Sequence, residues 1–201
     1  MLEFIAFLAC LEFAVLNSAY HNNILKPKQV ICLESIYLGK DVICILPTGY
    51  GKSLIFHLTP MLMFARDHIK LTDSPSAWKS NGICTENVSS IVIVVSPLNS
   101  LIQDQISRLK SCGLRASAIS INVRESEEVM DDAVNLDSTP YDCDLRLCEQ
   151  DSLLKGQYHI VFAHPESIIS TKFGRGLILS KTYKERVVCI VIDEAHCILD
   201  W

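Results

Sequence analysis

No Cys-x-x-Cys pair occurs in these 201 residues, and none of the nine cysteines or six histidines falls at zinc-ligand spacing. That absence excludes a zinc-ribbon scaffold, and the scattered thiols fit a reducing interior better than a disulfide framework. Also missing is an apolar run long enough to span a bilayer. The opening stretch MLEFIAFLACLEFAVL comes nearest. Glu3 and Glu12, however, stand where a secretion signal needs positive charge and an unbroken apolar centre. The stretch is read instead as an amphipathic helix of residues 1–24 packing Phe4, Phe7, Leu8, Leu11 and Val15 against the rest. Extremes of composition are absent as well: 49% hydrophobic with 20% charged residues is globular and sufficient for one cored domain. A soluble intracellular protein is expected.

An overall basic charge is lacking too, since the net charge is −5. Residues 122–151 hold ten acidic and two basic side chains, a balance of −8 that leaves the remainder at +3. An acidic insertion on a mildly basic body still permits contact with phosphates.

Val- and Ile-rich runs recur at Val42–Leu46, Ile91–Val95, His159–Ala163 and Val187–Ile192, with a weaker one at Arg115–Ile121. Continuous rather than alternating hydrophobicity marks strands covered on both faces. Between them, Lys52–Arg66 and Leu98–Ser111 carry the helical period, and Gly113 supplies a stop for the second. Strand alternating with helix predicts an α/β fold with a mostly parallel sheet and right-handed crossovers. Thr72–Ser90 and Asn122–Asp151 interrupt the rhythm and read as a loop and an acidic insertion.

Directly behind Val42–Ile45 comes LPTGYGKS, residues 46–53. A phosphate-binding loop needs glycines where the backbone turns tightly, a helix whose first N–H groups face the anion, a Lys for the β and γ phosphates and a hydroxyl for Mg²⁺. Gly49, Gly51, Lys52 and Ser53 supply these, with Thr48 and Tyr50 completing the loop; Leu46 stands where the pattern usually begins with a small residue. At the exit of the last apolar run, Asp193 and Glu194 are placed as an ATPase needs them, Asp for the Mg²⁺ shell and Glu to orient the attacking water. Ligands of open α/β sheets bind outside the carboxyl ends of the strands, so both motifs are expected to meet at one site. His57 and His68 read as helix decoration and Met61 and Met63 as packing. Lys26, Lys28, Arg108 and Lys110 read equally as phosphate contacts or as a solvated face, and Cys197 reads as an ordinary thiol.

Together these residues resemble the superfamily 2 helicases, and in detail the RecQ-like DNA helicases, over most of the chain from Tyr20 to Trp201. Ser96-Pro97-Leu98-Asn99-Ser100-Leu101-Ile102-Gln103-Asp104-Gln105 is similar to the family's motif Ia and His164-Pro165-Glu166 to its motif Ib. Asp193-Glu194-Ala195-His196-Cys197-Ile198, running on to Trp201, resembles motif II entering the aromatic-rich loop. His196 stands where DEAD-box RNA helicases carry Asp, which favours DNA.

The resemblance implies a three-layer RecA-like fold over 25–201, the first of two lobes and short of its C-terminal end. It further implies ATP and Mg²⁺ as cofactors and single-stranded or junction DNA as partner. In these terms Lys52, Asp193, Glu194 and His196 are catalytic, His196 relaying the nucleotide state, and Ser53 and Asp193 hold the metal. Ser96, Pro97, Asn99, Ser100, Gln103, His164, Pro165, Glu166 and Trp201 face nucleic acid. Leu25-Lys26-Pro27-Lys28-Gln29 resembles the adenine-reading segment, which assigns Gln29 to the adenine edge; Asn22 stands where a base-stacking aromatic is usual, so Tyr20 or His21 either stacks on the base in its place or takes a core or surface role. Movement 3′ to 5′, action in repair or recombination and a nuclear or chromosomal location follow from the same likeness. The competing readings are a non-catalytic nucleotide-dependent binding module and a related RNA helicase or translocase.

Overall fold

The computed structural model of the chain describes residues 2–69, 88–119 and 148–196. Most of the Thr72–Ser90 loop, nearly all of the acidic insertion, Cys197 and Trp201 lie outside the described residues.

Helix α1, Leu2–Leu16, buries Phe7, Cys10, Leu11, Phe13 and Ala14. The residues at 7, 11 and 14 follow the helical period. The buried stripe is nevertheless turned by roughly a quarter of a revolution from the expected face, leaving Phe4 at 48% and Leu8 at 43% exposure. Ring contacts explain the rotation: Phe7 meets Tyr37 at 5.5 Å and Phe13 meets Phe64 at 6.3 Å between centroids. Helix α2, Pro27–Tyr37, opens on a proline whose missing N–H has no partner to lose there. Helix α3, Lys52–His68, is buried continuously from Ile55 to Ala65, including His57 at 1% exposure. His57 is therefore a core residue, not surface decoration, whereas Met61 and Met63 pack as expected.

The sheet is parallel with order β2-β3-β1-β4, from β1 (Ile91–Val95), β2 (Ala116–Ile119), β3 (Ile160–Ala163) and β4 (Val187–Ile192). Helix α4, Asn99–Ser111, links β1 to β2 and ends before Gly113, whose φ of 73° suits glycine. Helix α5 is Cys148–Leu154, and α6 (Pro165–Ile169), α7 (Lys172–Leu179) and α8 (Lys181–Arg186) fill the connection from β3 to β4. One apolar cluster joins α1, α2, α3 and α4 to one side of the sheet, with Val92, Val94 and Phe162 pointing into it. Ile91, Ile93 and Val161 point to the other side, where Leu153, Leu177 and Tyr183 cover them. Helices on both faces of a parallel sheet make three layers.

Two apolar runs depart from their expected role. Val42–Leu46 has no strand partner among the described residues. Its exposure alternates: Val42 and Cys44 pack on the α3-side cluster, while Ile43 and Ile45 are 92% and 85% exposed. Among the described residues β4 pairs only with β1, and it too is covered on one face, with Ile190 at 61% and Ile192 at 47% exposure. The alternation is that of extended backbone with protein on one side. A continuous apolar run shows that a segment can be buried on both faces, but the covering must come from elsewhere in the chain.

Candidate functional site

The loop between Leu46 and Lys52 is bent by two glycines in the left-handed region, Gly49 at φ 77° and Gly51 at φ 90°. Leu46 is 9% exposed, and its carbonyl accepts from the Lys52 ammonium at 3.4 Å, which draws Lys52 back over the loop. Gly51 caps α3 without a side-chain bond, so no capping side chain occupies the first N–H groups at the positive end of a seventeen-residue helix. Such an end binds anions.

Gln29, 3% exposed, is fastened to this loop. Its Nε2 donates to the Tyr50 carbonyl at 3.1 Å and the Gly51 carbonyl at 3.0 Å, and its Oε1 accepts from the Lys26 backbone at 2.8 Å. Both amide protons thus hold the loop, and reading an adenine edge would require exchanging one of these bonds. Tyr50 lies under Lys26, whose ammonium is 4.6 Å from the ring centroid. Tyr20, a candidate for base stacking, instead lays its ring against His57 at 5.8 Å and bonds it through its hydroxyl. His21 is exposed.

At the end of β4, the Asp193 amide donates to the Val95 carbonyl at 2.9 Å, extending the β1–β4 ladder to the acidic pair. Burial pushes the Asp193 carboxyl above its ordinary range; the Glu194 amide, donating at 3.1 Å, and the charge of Lys52 pull it back, while the Glu194 charge raises it. Glu194 has a φ of 52°, an uncommon left-handed conformation for a side-chain-bearing residue. Its carboxylate lies 3.3 Å from His196 Nδ1.

A half-buried acid with a second carboxylate beside it is short of positive charge, and a divalent cation shared with phosphate oxygens would supply it. Among the described residues no three His, Cys, Asp or Glu side chains gather at metal-binding distance. The donors expected from the sequence are one hydroxyl, Ser53, and one carboxylate, Asp193. That fits Mg²⁺, which keeps several waters and takes few protein ligands.

The two resemblance-derived nucleic-acid segments are joined directly. Asn99 Oδ1 accepts from His164 Nε2 at 2.6 Å, a bond made possible because β1 and β3 are adjacent and parallel. Asn99, Ser100, Gln103 and Glu166 are exposed, while Pro97 and His164 are half-buried. Ser96, at 1% exposure, and Pro165 are buried, so neither side chain is open to a nucleic-acid backbone. Lys26, Lys28, Arg108 and Lys110 are all exposed.

Residues outside the sequence-based assignment also reach the site. Gln105 Nε2 donates to Ser53 Oγ at 3.1 Å, and its Oε1 meets His57 Nε2 at 3.0 Å. The available signal was an imidazole inside the apolar run Ile55–Phe64, since a polar ring in such company requires a partner.

A parallel three-layer sheet with a glycine-bent phosphate loop opening one helix and an Asp-Glu pair closing a neighbouring element defines a RecA-like P-loop nucleotide-binding domain. Residues 26–201 match the DEAD/DEAH box helicase family, and the chain belongs to that family. It is similar to the ATP-dependent helicase SGS1 of Saccharomyces cerevisiae, 28% identical over 88% of this chain and 10% of the relative. Likewise it resembles the ATP-dependent DNA helicase Q-like 4B of Arabidopsis thaliana, 25% identical over 90% of this chain and 12% of the relative. With the ATP-dependent DNA helicase RecQ of Haemophilus influenzae it shares 25% identity over 94% of this chain and 23% of the relative. The chain thus spans between a tenth and a quarter of the length of these relatives.

Proposed function

We propose that residues 25–201 act as the first RecA-like lobe of an ATP-driven, RecQ-type DNA helicase, with residues 1–24 as a helical preface. The observation that carries this is the loop bent by Gly49 and Gly51 at the start of α3, with Lys52 drawn back over it by the Leu46 carbonyl at 3.4 Å. In this reading the α3 N-terminus and the loop amides hold the phosphates, and Lys52 neutralises the β and γ oxygens. Ser53 and Asp193 would hold Mg²⁺, which when bound supplies charge neutralisation between those oxygens. Glu194 orients the attacking water, and His196, 3.3 Å from it, carries the state of that carboxylate toward the nucleic-acid side.

The joined pair Asn99–His164 offers a backbone-gripping edge beside exposed Ser100 and Gln103. Phosphate contacts carry no sequence information, so unwinding is expected to be largely sequence-independent. Closure of a second lobe with its arginine finger is worth roughly 10³ to 10⁵ in rate for related phosphoryl transfer. A first lobe without that closure should therefore bind nucleotide and hydrolyse it slowly.

Lys52→Ala is the test of the site. It is expected to weaken Mg-ATP binding by about tenfold or more, the loss of a charge-assisted contact; unchanged affinity removes the phosphate-loop assignment. Strand displacement by the full natural product, on forked DNA and on RNA duplexes, tests the substrate. Unwinding of RNA alone replaces the DNA reading with the RNA one, and nucleotide binding without turnover under either condition favours the non-catalytic module.

A further inference from the structure

Four side chains from three separate parts of the chain form a continuous hydrogen-bonded line. The Tyr20 hydroxyl lies 2.7 Å from His57 Nδ1, His57 Nε2 lies 3.0 Å from Gln105 Oε1, and Gln105 Nε2 lies 3.1 Å from Ser53 Oγ. The chemistry fixes the direction of every bond. An amide oxygen only accepts, so His57 carries its proton on Nε2; Nδ1 is then an acceptor, and the Tyr20 O–H donates to it. The line ends with an amide N–H occupying one lone pair of the Ser53 hydroxyl, which leaves the other lone pair and the hydroxyl proton for ligands. His57 is 1% exposed, so competition from water is excluded at the centre of the line.

We infer that Gln105 is a positioning residue for the Ser53 hydroxyl, held in place through His57 by Tyr20, and that this line sets the metal-dependent part of nucleotide affinity. The inference rests on the reading of Ser53 as a Mg²⁺ ligand proposed above. Without the line, Ser53 could rotate among its staggered positions, and only one of these can face the shared ion. Gln105 lies two positions beyond Gln103 on α4, so the two face different ways: Gln103 is exposed, whereas Gln105 turns inward to the loop. Tyr20, before α2, supplies the far end of the line.

The test uses the 201-residue chain and a fluorescent ATP analogue, with binding measured in Mg²⁺ and in EDTA. Losing one net hydrogen bond corresponds to about fivefold in affinity. Gln105→Ala is therefore expected to weaken binding about fivefold in Mg²⁺, to leave the EDTA affinity unchanged, and to raise the Mg²⁺ concentration at half-effect about fivefold. Tyr20→Phe, which removes one oxygen and keeps the ring, should give the same pattern at about twofold, and it decides the matter if Gln105→Ala does not fold. Equal weakening in both conditions, or none in Mg²⁺, overturns the positioning role. Failure of the unaltered chain to bind the analogue in either condition is a different result: it overturns the phosphate-loop reading itself, and the assignment of Gln105 with it.

Discussion

His57 and His159 are both imidazoles deep in the fold, at 1% and 3% exposure. Burial lowers His57 to about 4, opposed by its bond to Gln105 and assisted by Arg108. Burial, helped by the Arg115 guanidinium 3.0 Å away, lowers His159 to about 4 as well. When the chain unfolds, each ring returns to a value near 6.5. Above that pH neither form binds the proton and the pair adds no pH dependence. As pH falls from 6.5 toward 4 the unfolded chain takes up protons that the folded chain refuses, so stability declines. By pH 5 each imidazole accounts for about 2 kcal/mol. The thermal midpoint is expected to fall by roughly 10 °C between pH 7.5 and 5 on their account, and His57→Gln with His159→Gln should remove most of that slope. A midpoint insensitive to acid over this range would show that these rings are solvated.

At the scale of elements, the contact that defines the site is between α2 and the loop preceding α3. A β-carbon on Gly51 would lie 2.7 Å from Gln29 Nε2, and the φ of 90° is one that other residues adopt only under strain. Gly51→Ala should thus destabilise by about 2 to 3 kcal/mol, from backbone strain and from displacing the amide from two carbonyls. Because the two residues share one contact, the effect should shrink by about 1 kcal/mol in a Gln29→Ala background. Denaturant titration of the four-member cycle reads this directly; full additivity would mean that Gln29 does not brace the loop.

Much of this was legible beforehand. Ile91–Val95 and Val187–Ile192 are strands with the bounds that their apolar runs suggested, and α3 and α4 follow their helical periods. What could not be read was non-local. The burial of His57 depends on Gln105, 48 residues away, and the rotation of α1 depends on Tyr37 and Phe64. Val42–Leu46 looks like any other strand in isolation, and only the sheet order shows it without a neighbour among the described residues. Ser96 keeps its place in a motif-like string, yet its side chain is turned into the interior.

For the molecule as a whole, the layering is uneven. Val42, Cys44, Cys189 and Val191 press on the α3-side cluster, so the residues alternating with them point away from it. Those residues are Ile43, Ile45, Ile190 and Ile192, all between 47% and 92% exposed. Among the described residues β4 is one of the two edge strands of the sheet, a ready template for pairing with another chain. In solution the consequence is colloidal: the 201-residue chain should associate with itself as its concentration rises, its charge of −5 providing little repulsion at physiological salt. Sedimentation velocity should show a mass that grows with loading and with added sulfate, which strengthens apolar association. Ile43→Lys with Ile190→Lys should return it to a single monomeric boundary. A boundary that stays monomeric at every concentration would mean that the four isoleucines are shielded. If they are not, preparations of this chain will be limited by its solubility before its stability, and its shelf life will be set by salt.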